Sequence, residues 1–262
     1  MARIGVFDSG AGGITVLHEA MRMLQAPEYL YYMDRAHVPY GTKTVEEITR
    51  YAKEAVSFLR GEGADLVVLA CNTATSAAAN TLRAAFDFPI VGMEPAVKPA
   101  LALSPEGERE RVLVLATPLT LKEKKLADLV ARFDAAHRVD LLAMPRLVSF
   151  AEEGRFDTGE VRAYLEETLR ETERERYRAV VPGCTHFLYF LPLLKELFPA
   201  ETAWIDGTEG TVRRIAELLG LPAEGRALTG EVTYYDAGRK ITEEKELERI
   251  AALHARLEEI GR

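Results

Sequence analysis

The sequence predicts an α/β protein made of two like α/β series, with parallel-type sheets flanked by helices. Three observations carry this expectation. Short β-rich runs alternate with helical patterns along the chain, as parallel strands joined by crossover helices require. The run "DLVVLA" (65–70) is continuously apolar, the mark of a strand buried on both faces. The series also begins twice, with "RIGVFDSG" opening the first half and "RVLVLATP" the second.

In order, strands are predicted at 3–7, 29–33, 65–70 and 89–93, then at 111–117, 138–144, 178–183, 203–206 and 231–238. Residues 45–60 carry a helical stripe of Val45, Ile48, Ala52, Ala55, Val56 and Leu59. Further helices are expected over 14–24, from about 75 to 86, and over 119–133, 158–173, 189–198 and 211–220. A last helix presents Leu247, Ile250, Leu253, Leu257 and Ile260 on one face. The polar, Pro- and Gly-containing stretch 104–111 reads as a domain boundary. Because chain termini often lie close together, residues 1–96 with 208–262 are expected to form one domain and 97–207 the other.

With 262 residues, 48% of them apolar, the chain can bury a sizeable core. Its net charge of −8 and lack of a basic stretch disfavour a nucleic-acid partner. The N-terminal apolar run is too short for a secretory signal, and no run is long enough to span a membrane. A cytoplasmic protein with free thiols is expected, since two distant cysteines make no disulfide framework in a chain this size.

Those two thiols are the chemical signal. Cys71 lies 63 residues beyond Asp8, and Cys184 lies 67 beyond Thr117, so each half sets a cysteine at a matching strand end. Ligands of open α/β sheets bind beyond such ends. Two thiols on opposite walls of a cleft suit the removal of a proton from one face of a carbon and its return to the other. A lone cysteine is more often a buried small hydrophobe, but two in matched contexts are hard to explain by packing alone. "VFDSGAGGIT" (6–15) is a strand, an acid and a glycine-rich turn opening a helix. It favours an anion or a plain N-cap. It is not a dinucleotide fingerprint, because Thr15 stands where the third glycine is needed. Asn72 and Thr73 offer side-chain donors beside Cys71, and His186 can tune or assist Cys184.

With these pieces in place, "FDSGAGG" (7–13), "PYG" (39–41), "ACNTAT" (70–75), "LATPLT" (115–120), "EEG" (152–154) and "GCTH" (183–186), the chain resembles the glutamate racemases of the cofactor-independent Asp/Glu racemase superfamily. The resemblance implies Cys71 and Cys184 as the acid and base for the two faces of the substrate Cα. It implies Asp8, Glu152 and His186 as assisting residues. Substrate contacts would be Asp8, Ser9, Tyr40, Gly41, Asn72, Thr73 and Thr185, with Thr117 and Thr120. It further implies two pseudo-symmetric α/β domains with the active site in the cleft between them, no cofactor and no metal, glutamate as the small-molecule substrate, a homodimer, and D-glutamate supplied for peptidoglycan.

The chain departs from the family's usual pattern at Phe187-Leu188-Tyr189-Phe190, at "LKEKK" (121–125) and at "IDGTEG" (205–210). Its start, close to the first strand, leads us to expect no regulatory N-terminal extension. A related aspartate or small-acid racemase or isomerase, a cysteine hydrolase using His186 as base, and a binding protein on the same scaffold are the alternatives left open.

Overall fold

The computed structural model describes residues 2–25, 28–103, 110–225 and 227–261. The first part of the chain forms β1 (Arg3–Asp8), α1 (Ile14–Met23), β2 (Glu28–Met33), α2 (Val45–Gly61), β3 (Leu66–Leu69), α3 (Asn72–Ala85), β4 (Ile90–Gly92) and α4 (Val97–Ala102). The middle forms β5 (Arg111–Ala116), α5 (Pro118–Lys122), α6 (Lys124–Phe133), β6 (Val139–Ala143), α7 (Arg146–Glu152), α8 (Gly159–Thr168), β7 (Tyr177–Pro182), α9 (Leu191–Glu196) and β8 (Ala203–Trp204). The last part forms α10 (Thr208–Leu219), β9 (Val232–Asp236), β10 (Arg239–Lys240) and α11 (Glu244–Glu259).

The strands make two sheets, ordered β10-β9-β2-β1-β3-β4 and β6-β5-β7-β8. Strand for strand, β2-β1-β3-β4 has the same order as β6-β5-β7-β8, and every pairing within these two sets is parallel. Cys71 follows β3 and Cys184 follows β7, the equivalent strands of the two sheets. Strand β9 extends the first sheet in parallel on β2, and β10 turns back antiparallel on β9. This short antiparallel edge was not expected from the sequence, because two residues leave no readable alternation.

One apolar cluster runs through both sheets, taking Ile4, Val6 and Val68 from the first and Leu113, Leu115 and Val180 from the second. Separate clusters fill the outer faces, one under α2 and α3 and one under α4 and α6. At about 1.5–3 kcal/mol for each large apolar side chain fully buried, the shared cluster is what joins the two halves. The stripe on α2 is buried from Ile48 to Leu59, and the helix is started by a capping box between Thr44 and Glu47.

Several boundaries differ from the sequence reading. The helix expected from about residue 75 begins at Asn72, because Cys71 itself is its N-cap, its Sγ accepting the Ala74 N–H at 3.4 Å. The single helix expected over 119–133 is two, broken at an extended Glu123. The break lets α5 pack on α3 and the Tyr40 turn while α6 packs on α4. Helix α7 was not anticipated, being only 7 residues long. Helix α8 stops at Thr168 rather than near 173. On α11, Leu247 is 39% exposed and so falls off the buried face. The boundary read at 104–111 lies mostly outside the described residues, which stop at 103 and resume at 110. Among the described residues, no helix is long and apolar enough to cross a membrane.

Candidate active site

The first wall of the site is the end of β1. Asp8 is fully buried. Its Oδ2 accepts the Gly10 N–H at 3.0 Å, and its Oδ1 accepts the Thr185 hydroxyl at 3.2 Å. The glycines that follow are dictated by close approach. A Cβ on Gly12 would lie 2.3 Å from Nδ1 of His186, and one on Gly10 would lie 2.1 Å from Oε1 of Glu152. The loop is braced by two buried tyrosines, Tyr31 donating to the Gly10 carbonyl and Tyr189 to that of Ala11. Burial pushes the Asp8 carboxyl up to about 6, with the His186 charge and the Gly10 N–H pulling it down.

Cys71 caps α3 from the end of β3, and its S–H donates to Ser9 Oγ at 3.7 Å. Burial, then the neighbouring Asp8 charge and Cys184, push this thiol up to about 12, against the Ala74 N–H and Ser9 contacts. At neutral pH it therefore holds its proton. Beside it, Thr73, Thr117 and Thr120 form a triangle of hydroxyls with Oγ1 separations of 3.0–3.2 Å. The triangle links the end of β3 to the end of β5, across the two sheets. Thr75 is a brace: its hydroxyl donates to the Leu69 carbonyl and accepts the Met93 N–H.

Cys184 stands after β7, its Sγ 3.8 Å from His186 Nδ1. His186 Nε2 is 2.6 Å from Glu152 Oε1, which also accepts the Ala11 N–H at 2.7 Å. Burial alone would lower the His186 value. Its bonds and charge interactions with Cys184 and Glu152 outweigh that and hold it well above the usual histidine range. Glu152, although desolvated, is held below the usual glutamate range by His186, the Ala11 N–H and Arg249. The pair is an imidazolium facing a carboxylate, with the Cys184 sulfur on the far side of the ring. Both cysteines are free thiols.

Tyr40 and Gly41 lie in a single 3-10 turn. The Tyr40 hydroxyl is committed to Asp34 Oδ2 at 2.6 Å, and burial pushes its acidity well away from ionisation. Gly41 is there because a Cβ would come within 2.9 Å of the Thr117 Cβ. Asn72 lines a small cavity with Cys184 and Thr185. The structure thus brings every residue singled out from the sequence to the ends of β1, β3, β5 and β7 or to segments packed there. Sequence reasoning named 205–210 only as a departure and gave no role to Asp206 and Thr208, which line the same cavity beside Cys184. Their signal was position: they follow β8 directly, at the carboxyl end of the second sheet.

Comparison with known proteins agrees with this architecture. Residues 4–215 match the sequence family described as Asp/Glu/Hydantoin racemase. A glutamate racemase of Campylobacter curvus is 51% identical over 260 residues, covering 97% of both chains. The crystal structure of a glutamate racemase from Campylobacter jejuni superposes with a TM-score of 0.80 at 27% identity, covering 96% of this chain and 97% of that one. Escherichia coli glutamate racemase, solved in complex with L-glutamate and activator UDP-MurNAc-ala, superposes with a TM-score of 0.79 at 27% identity, covering 97% and 95%.

Proposed function

The chain belongs to the Asp/Glu/Hydantoin racemase family, and we propose that it interconverts L- and D-glutamate without a cofactor, by proton transfer between two thiols. One observation carries the reading. Two buried, reduced cysteines follow equivalent strands of two like sheets, and each has its own polar partner set. The two partner sets differ in a useful way. Cys71, buried beside Asp8, holds its proton and is the acid of the pair. Cys184 has the His186 ring 3.8 Å away and is the base of the pair.

The hard step is the carbanion at Cα, which has no electron sink and must be stabilised by fixed donors. The main-chain N–H groups at the start of α3 and the side chains of Ser9, Asn72, Thr73 and Thr185 are the candidates, with a helix N-terminus favouring the α-carboxylate. Asp8, bonded to Thr185, stands where a substrate ammonium would find an anion. Tyr40 and Gly41 belong to the same wall as Thr117 and Thr120, whose hydroxyls meet that of Thr73. Glu152 orients His186 and keeps it charged. The division into 1–96 with 208–262 and 97–207 is part of this reading. It is supported by α10 packing on α1 and β4, and by α4 packing on α6, β5 and β7. By its family resemblance the enzyme would work as a cytoplasmic homodimer, its D-glutamate feeding peptidoglycan synthesis.

The test is L- or D-glutamate incubated in D2O, with Cα–H loss followed by proton NMR and inversion by circular dichroism. The parent should show both. Cys71→Ser and Cys184→Ser should each lose inversion by about 10²–10⁴-fold, the range for a missing general acid or base. A specific rival exists, because Cys184, His186 and Glu152 are aligned like a hydrolytic triad. That reading needs only one thiol, so a Cys71→Ser variant with the parent's turnover would favour it and sink the two-thiol scheme. Inversion of aspartate in preference to glutamate would move the substrate but keep the chemistry.

A further inference from the structure

We infer that Asp206, through a water held by Thr208, carries protons between Cys184 and solvent by a route separate from the substrate's own path. The inference rests on the two-thiol reading above. Such a racemase ends each turnover with the proton on the other thiol. Before it can process the same enantiomer again, the protons must be reset.

The structure supplies the parts of a route. A small cavity is lined by Asn72, Cys184, Thr185, Asp206, Gly207 and Thr208 among others. The volume open to the centre of a water molecule is about 10 Å³, near the least that holds one water. The Thr208 hydroxyl oxygen is buried without a hydrogen-bond partner among the described residues. An unpaired buried hydroxyl is destabilising, so a water that bonds it is favoured. Asn72, Thr185, Cys184 and Asp206 line the same space, residues whose polar groups suffice for one water. Asp206 is fixed by the Thr208 N–H, which donates to its Oδ1 at 2.8 Å. Asp206 and Gly207 also line an outer groove of about 1090 Å³ between β4, α4, α6 and α10. Asp206 is therefore common to the lining of the cavity and of the outer groove.

The proton count closes. A proton on Cys184 passes to the water, from the water to the Asp206 carboxylate, and from there to solvent in the groove. That leaves a thiolate at Cys184. Cys71 takes one proton from solvent through the substrate cleft once product has left. One proton leaves, one enters, and nothing is oxidised or reduced.

The experiment is tracer perturbation with the full chain. Labelled glutamate is brought to equilibrium between its enantiomers, excess unlabelled L-glutamate is added, and the label is followed for a transient drift. Drift occurs only when resetting is slower than turnover. Asp206→Asn keeps the acceptor for Thr208, and Thr208→Val removes only the hydroxyl. Both should show drift at substrate concentrations about 10²-fold below the parent's, the low end of what losing one proton carrier costs, with the Cα–H isotope effect retained. Drift setting in at the parent's concentration in both variants would overturn the route. So would a raised KM with unchanged onset, which would make Asp206 a substrate contact. Failure of the two-thiol reading itself would show elsewhere, as retained turnover in Cys71→Ser or Cys184→Ser.

Discussion

Asp8 sets a carboxylate where water cannot solvate it, and that has a cost in stability. Its folded value is raised from 3.8 to about 6 by burial, so the folded chain holds the proton more tightly than the unfolded chain. Stability from the neutral form is fully present below 3.8 and is lost as pH rises through about 6. At most about 3 kcal/mol is involved, at about 1.4 kcal/mol for each tenfold change in proton affinity. Asp8→Asn should therefore gain on the parent in melting temperature between pH 5 and pH 8, by roughly 5 °C, while losing activity. A gap that stays constant across that range in calorimetry would show that Asp8 does not ionise there. Gly12 makes the opposite point, that a missing side chain can be functional. Gly12→Ala should fold, since its backbone is not among the positive-φ glycines. It would press on His186 and Thr185, so kcat/KM should fall about 10²-fold, the scale for a misplacement near 1 Å. Unchanged kinetics would mean the His186 ring yields freely.

Among the elements, α3 shows why one helix boundary was misread and what the error concealed. Cys71, Asn72 and Thr73 looked like a polar loop before a helix. In the structure the cysteine is the cap and the polar residues are the first turn, so the orphan N–H groups of that turn face the site. Thr75 then ties α3 to the ends of β3 and β4 through two bonds. Thr75→Val should cost about 1–3 kcal/mol of unfolding free energy by leaving buried partners unpaired, and Thr75→Ser should restore most of it. Denaturant unfolding that found Thr75→Val within error of the parent would contradict this. The strand ends were legible because buried parallel strands write continuous apolar runs and crossover helices write a 3.6 period. Asp8, Cys71, Thr117 and Cys184 could be placed by that logic alone. Helix α7 could not, since 7 residues barely complete two turns. Glu152 at its end was readable only through resemblance. In a chain with 41 acidic residues, nothing local marks the one that lies against a buried histidine. Asp206 escaped because 205–210 stands out in the sequence only as a departure from the family's pattern, and the strand expected over 203–206 ends at Trp204.

For the molecule as a whole, the last helix reaches across to the second sheet's side of the site. Arg249 on α11 donates to the Glu152 backbone carbonyl, and Arg256 pairs with Asp157. Arg249 also helps hold Glu152 below the usual range. Arg249→Met should reduce kcat/KM about tenfold, well short of the roughly 10²–10⁴-fold of a direct loss of the acid–base machinery. It should also shift the acidic limb of the pH–rate profile upward as Glu152 becomes easier to protonate. A lower melting temperature with an unmoved profile would leave Arg249 as packing only. The matched strand order of the two sheets has a consequence of another kind. Two enantiomers have the same free energy in water, so a racemase can favour neither at equilibrium, and its kcat/KM must be equal in both directions. The halves nonetheless differ where they meet the ligand: a serine and a helix start at Cys71, a charged imidazole at Cys184. That unlikeness cannot tilt the reaction. It can only divide each direction differently between holding the molecule and turning it over, so any gain in speed one way is matched by looser binding of the hand it starts from.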